Sequence, residues 1–174
     1  MTLPLDALRE LYRHMEWADA TVWRALLAHP PAARDDRLRN LLLHLHTVQR
    51  AFLDVWTGQP LAFPNRDDFP DVAAVQRWSQ PTYASAHRFL QSLDPDALGR
   101  PVILPWSAQL TAKFGRVPET PTLAETIFQV TSHSTYHRGQ VNARLREIGG
   151  EPPLVDYIAW IWFGRPLFDP QEVA

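Results

Sequence analysis

This sequence predicts an all-α fold, and within that class a four-helix bundle. Two observations carry the prediction. Sixteen prolines stand against seven glycines, but the prolines cluster and leave windows free of helix breakers, three of them far longer than a strand. Inside those windows apolar residues recur at spacings of three and four, the period of a helix with one buried face. A chain of 174 residues falls in the size range of one domain and can bury roughly 70% of its extended surface. Residues 1–174 are therefore read as a single domain, with 45% hydrophobic and 11% aromatic content to fill its core.

The first window, Leu5 to His29, has Leu5, Leu8, Leu11, Tyr12, Met15 and Val22 in helical register. The second, Ala32 to Gln59, has Leu38, Leu41, Leu45, Val48, Phe52 and Val55. The third helix, from near Val72 to near Leu93, contains Pro81, which removes one N–H and crowds the preceding turn, so a kink or a split is expected there. The fourth window, Thr122 to Glu151, lines up Leu123, Ile127, Val130, Ser134, Val141, Leu145 and Ile148, and Gly149-Gly150 supplies a stop. Between the third and fourth helices runs one long connection, Asp94 to Pro121. Its apolar stretches, Val102-Ile103-Leu104 and Leu110 to Val117, predict a small hairpin or an irregular flap across one end. Tyr157 to Phe163 predicts a short C-terminal helical segment. The order in which the helices pack stays open. Of the seven tryptophans, Trp17, Trp23 and Trp56 read as core. Trp106 and Phe114 suit a pocket mouth, and Trp160 and Trp162 suit a terminal helix or an interface.

Composition narrows the function. Net charge is -2, from 17 basic and 19 acidic side chains, so no global positive field exists to hold nucleic acid. No stretch approaches the roughly 20 apolar residues of a membrane span. The opening Met1-Thr2-Leu3-Pro4-Leu5-Asp6 lacks the basic flank and apolar run of a secretory signal, which makes the cytoplasm the expected location. The cysteine count is zero, which excludes disulfides, thiolate metal sites and a cysteine nucleophile.

Seven histidines remain. His133 and His137 are one turn apart on one helical face, at the edge of its apolar stripe, the arrangement by which two imidazoles converge on one ion. Buried histidines bonded to their neighbours are the plainer alternative. The second helix offers His44 and His46 for a third ligand. They lie about 200° apart around the axis, so at most one can face the same site, and spacing does not choose between them. Ser134-Thr135-Tyr136 separates His133 from His137, so the glutamate base of the helical zinc proteases is missing. No glutamate lies three residues before any histidine, which excludes the di-iron carboxylate bundle. A mononuclear three-imidazole site remains, suited to zinc or nickel with positions open for water or substrate.

The stretch His133-Ser134-Thr135-Tyr136-His137-Arg138-Gly139-Gln140 resembles the His-x3-His-Arg-Gly-Gln hallmark of the DinB/YfiT-like superfamily, a bacterial damage-inducible protein family associated with metal-dependent enzymes. Glu16-Trp17-Ala18-Asp19 is similar to that family's first-helix signature, and Leu43-His44-Leu45-His46-Thr47-Val48-Gln49-Arg50-Ala51-Phe52 to its second-helix segment. Pro153-Leu154-Val155-Asp156-Tyr157 is similar to the tail after the last helix. The resemblance implies a metal site of His44, His133 and His137, with His46 as the fallback. Gln49 stands where relatives often have glutamate. Tyr136 stands where they often have histidine, at a position expected to point away from the site.

The same resemblance implies chemistry with a low-molecular-weight bacterial thiol, since relatives include transferases that use bacillithiol and isomerases that use mycothiol. The expected function is then a metal-dependent S-transferase acting on small electrophiles, in a homodimer; the rival is a non-catalytic, metal-stabilised stress-response or interaction bundle. Gln140 either supports an imidazole or lies in solvent, Arg138 is expected in an ion pair, and Gly139 marks a close helix approach or a tolerated surface glycine.

Overall fold

The computed structural model describes residues 3–168 and places helices where the windows predict them. Helix α1 spans Leu5–Leu27, α2 Asp36–Thr57, α3 Val72–Ser92, α4 Thr111–Phe114, α5 Leu123–Glu147 and α6 Tyr157–Trp162. Short polar side chains start three of the long helices. Asp35 accepts from the Leu38 N–H at 2.8 Å and Asp71 from the Ala74 N–H at 2.7 Å, while Thr122 and Glu125 form a reciprocal capping box. Helix α2 ends on Gly58 in the left-handed region at φ 68°, where any side chain would be strained.

Two apolar clusters fix the topology. One joins Leu5 and Leu8 of α1 to Trp56, Leu90, Leu123 and Ile127, and the other joins Trp23 and Leu26 to Leu38, Val72, Val141 and Leu145. The starts of α1 and α5 thus share one end with the finishes of α2 and α3, so the bundle runs up, down, down, up. Helices α1 and α2 each pack against both α3 and α5, which puts α1 diagonal to α2, and α3 diagonal to α5. The parallel pair α2 and α3 requires a connection that returns along the bundle. A 22-residue helix is about 33 Å long, within reach of the segment 58–71 at roughly 3.3 Å per residue.

Two open expectations narrow to one of their alternatives: the split at Pro81 and the hairpin are absent among the described residues, and the irregular flap is present. Helix α3 is not split at Pro81 but continues through it. The carbonyl freed one turn earlier belongs to exposed Arg77, where water can bond it, and Val75, Tyr83 and Ala86 bury the helix on both sides of the proline. The long connection forms no hairpin either. It is an irregular cap with one isolated antiparallel bridge, Pro101 to Thr122, and the short helix α4. Trp106 from this cap closes the bundle end by packing edge-on against Phe52, ring centroids 5.2 Å apart, and Phe114 is exposed.

At the C-terminal side, Trp160 of α6 is buried with Trp17 and Ala18, and His14 bonds the Val155 carbonyl at 3.0 Å. Trp162 stays exposed. No helix among the described residues is long and apolar enough to cross a membrane.

Candidate metal centre

A polar layer separates the two apolar clusters. Asp19 from α1 accepts from the Arg138 guanidinium at 2.6 Å and from the Gln49 amide at 2.8 Å. The same Gln49 amide donates to Ser134 Oγ at 3.0 Å, and its carbonyl accepts from His46 Nδ1 at 2.9 Å. Tyr83 from α3 adds a hydroxyl to Asp19 at 3.3 Å. All six side chains are buried, and the layer links α1, α2, α3 and α5. Arg138 is the ion-pair residue the sequence suggested, and its partner is Asp19. His46 is committed to this layer, with its ring stacked on Trp23 at 5.4 Å and its Nδ1 proton given to Gln49.

The partners of the layer determine how α5 is rotated. Ser134 and Arg138 point inward, so His133 and His137, each one residue earlier, lie about 100° around the helix on the border that faces α2. There they meet His44, which is two residues from His46 and so on the other side of its helix. Ring centroids are 4.3 Å apart for His133 and His137, 4.6 Å for His44 and His137, and 5.2 Å for His44 and His133. One potential ligand nitrogen from each ring lies within 4.8 Å of the other two. The structure thus brings together His44, His133 and His137 and leaves His46 out.

The three rings suit a cation better than each other. Their spacing crowds neutral or positive rings at tilted and edge-on angles, with no acid in the cluster among the described residues. Burial, then the neighbouring imidazoles, pushes His133 down to about 4, and burial together with His137 lowers His44. Neutral imidazoles keep the lone pairs that metal binding needs. His133 Nδ1 is buried and has no hydrogen-bond partner, a cost the folded chain bears without recovering it internally. His137 donates from Nδ1 to Gln140 Oε1 at 2.7 Å, which fixes the tautomer and leaves Nε2 as the free lone pair. Such outer hydrogen bonds orient metal-binding histidines in general. Of the two readings of Gln140, the supporting one fits.

The neighbouring positions bring one correction, at Tyr136, and decide between the two readings of Gly139. Tyr136 does not point clear of the cluster; its exposed ring stands edge-on to His137 with centroids 5.0 Å apart. Gly139 makes no close helix approach, since a β-carbon there would meet nothing within 4 Å, so it is a surface glycine. Trp106 and Phe114, expected at a pocket mouth, belong to the cap at the bundle end; Trp106 lines a cavity there with Val102 and Leu110.

The sequence model of the DinB family matches residues 1–165. The chain belongs to the DinB family. The matched span takes in all three histidines of the cluster, both sides of the Asp19–Arg138 pair, and α6. No curated protein matches the chain. Family membership and the three-histidine cluster together fit a metal-binding DinB-like protein. Sequence reasoning missed the polar layer as a unit, although Asp19 lies on the α1 stripe with Met15 and Val22, and Arg138 lies on the α5 stripe with Ser134 and Val141. Two opposite charges on two buried stripes was the available signal.

Proposed function

We propose that this DinB-family chain is a metal-dependent S-transferase that joins a whole small bacterial thiol, through its sulfur, to a small electrophile, with the thiol proton and the electrophile's leaving group released. The observation that carries the reading is the three-imidazole cluster, with its ring nitrogens within 4.8 Å of one another and one of them unbonded by the protein. His44, His133 and His137 would hold zinc or nickel, both of which accept three neutral imidazoles. A divalent ion supplies Lewis acidity, which favours the ionised form of a thiol near neutral pH.

The chain's own groups determine the rest. Exposed His44 keeps the cluster open to solvent on the α2 side, so a thiol and its electrophile can reach it. Gln140 holds the His137 ring in one tautomer. The sulfur has to come from solution, because the protein has no cysteine. The Tyr136 ring borders the cluster and offers an apolar wall to the electrophile. The exposed apolar side chains Leu154, Ile158, Trp162 and Phe163 around α6 supply a face for homodimerisation, and we place the protein in the cytoplasm, where such thiols are abundant.

The test is conjugation of monochlorobimane and 1-chloro-2,4-dinitrobenzene with bacillithiol, mycothiol, glutathione or coenzyme A by zinc- or nickel-loaded protein. A rate above the thiol-only background with at least one thiol, lost in His137→Ala, supports the proposal. Background rates with all four, from protein that carries a full complement of metal, would favour a bundle that uses its ion for stability alone.

A further inference from the structure

The seam between α1 and α3 lies on the opposite side of the bundle from the histidine cluster, because α1 and α2 are diagonal and each contacts both α3 and α5. Two adjoining cavities open along it, of about 630 Å³ and about 300 Å³, and Arg13, Glu16 and His87 line both. The larger falls in the size range of small-molecule sites. Its walls are largely apolar, from Pro81, Ala84, Leu167 and Phe168, with Arg88 at its rim.

Glu16 is 5% exposed, and no described residue donates a hydrogen bond to its carboxyl or pairs with it. Its carboxyl oxygens are not among the fully enclosed atoms that lack a partner, so they open onto the cavities that Glu16 lines. Arg13 and Arg88 likewise have no ion pair among the described residues. A carboxyl without a hydrogen bond and two guanidiniums without an ion pair therefore face one apolar-walled cavity, with Arg13 in the longer-range field of Glu10 and Glu16.

We propose that this seam is a second binding site, for a small amphipathic monocarboxylate whose head lies between Glu16, Arg13 and Arg88 and whose apolar body lies against Pro81, Ala84 and Phe168. The charge of the head follows from the lining. In the larger cavity, where Glu16 is the one acidic group among the described lining residues, a cationic head would meet Arg13 and Arg88, and a neutral one would leave both guanidiniums unused. Burial, reinforced by the Asp19 charge and opposed by Arg13, pushes the Glu16 carboxyl up to about 8. Near neutral pH Glu16 is therefore an O–H donor, which suits a carboxylate acceptor; once ionised it would repel one.

Three probes with one chain length separate the possibilities: octanoate, octanol and octylammonium, titrated calorimetrically into the full chain at pH 7. Octanoate should bind at least tenfold more tightly than either of the others, Arg88→Ala should weaken it about tenfold, and Ala84→Trp should abolish binding by filling the cavity. Raising the pH to 9.5 should weaken octanoate at least fivefold in the wild type and less than twofold in Glu16→Gln. The other ionisable or charged groups around Glu16 are Tyr12, Arg13 and Asp19 from α1 and Tyr83, His87 and Arg88 from α3, with Asp6, Arg9 and Glu10 lining the smaller cavity. The tyrosines are held above their ordinary range, Asp19 is tied to Arg138, and His87→Gln should keep the pH effect. His44→Ala should bind octanoate like the wild type, so the site stands or falls independently of the metal reading. Equal binding of octanol, tighter binding of octylammonium, no binding at millimolar octanoate, or an Ala84→Trp variant with unchanged affinity would each overturn the proposal.

Discussion

Two groups of polar side chains sit at the middle of the bundle, one inside it and one on its α2–α5 border, and they differ in how their hydrogen bonds are met. Inside, Asp19, Gln49, His46, Ser134, Tyr83 and Arg138 satisfy one another across four helices. On the border, among the described residues, His133 Nδ1 has no partner and no hydrogen bond holds the His44 ring, while His137 bonds Gln140. A closed network specifies a structure, whereas an open one is completed from outside. The contrast separates His46 from His44, two residues apart in the sequence, into a position closed by its hydrogen bonds and the open one that the proposed metal site uses.

The largest effect should come from breaking the inner group. Asp19→Ala leaves the Arg138 charge buried and unpaired, and removal of one partner of such a pair typically costs about 3–5 kcal/mol. Urea unfolding should register that loss with metal present or absent, because the layer holds the helices whether or not the border is occupied. Glu16 departs from the inner rule, being buried but unpaired, and it should give an effect of about 3 kcal/mol that depends on pH. Its folded pKa of about 8 lies above the ordinary 4.5, so between those values the folded chain holds a proton the unfolded chain has released. Its contribution to stability is greatest below pH 4.5 and is lost progressively up to about pH 8. Glu16→Gln, which cannot ionise, should remove that decline and be more stable than the wild type by about 3 kcal/mol at pH 7, read from unfolding midpoints between pH 5 and 8.5.

Smaller effects should sharpen the line between the groups. His46→Ala leaves the Gln49 carbonyl without its donor and should cost about 1–3 kcal/mol; His44→Ala, at an exposed position, should change metal-free stability by less than about 0.5 kcal/mol. Gln140→Leu touches only the outer hydrogen bond on His137. It should weaken metal binding roughly 10–100-fold in a competition titration with a chelator, while the melting temperature of the metal-free chain stays within a degree or two.

Most of the fold was legible because helix signals are local. The apolar spacing of Leu5, Leu8, Tyr12 and Met15 and the caps at Asp35, Asp71 and Thr122 depend on neighbours within one or two turns. Topology was not, since the run of the chain past α2 is decided by which ends share a cluster, and Leu8 meeting Trp56, Leu90 and Leu123 is a long-range fact. The continuity of α3 through Pro81 is likewise a tertiary result, in which packing on both sides outweighs one lost hydrogen bond. At the candidate site the spacing of His133 and His137 was plain, and the resemblance to the DinB family pointed to His44. Gln140 was left balanced between two readings because a side chain three residues along a helix can reach back or turn outward. Glu16 escaped notice because its lack of a partner depends on what α3 and residues 167–168 place around it.

The central claim is that the border histidines bind one ion and the inner histidine does not. Elemental analysis of purified wild type, His44→Ala and His46→Ala, each loaded with zinc or nickel and then desalted, tests it most directly. One ion per chain in the wild type and in His46→Ala, with little or none in His44→Ala, is the predicted result. Metal retained by His44→Ala and lost by His46→Ala, or retained equally by all three, would contradict it.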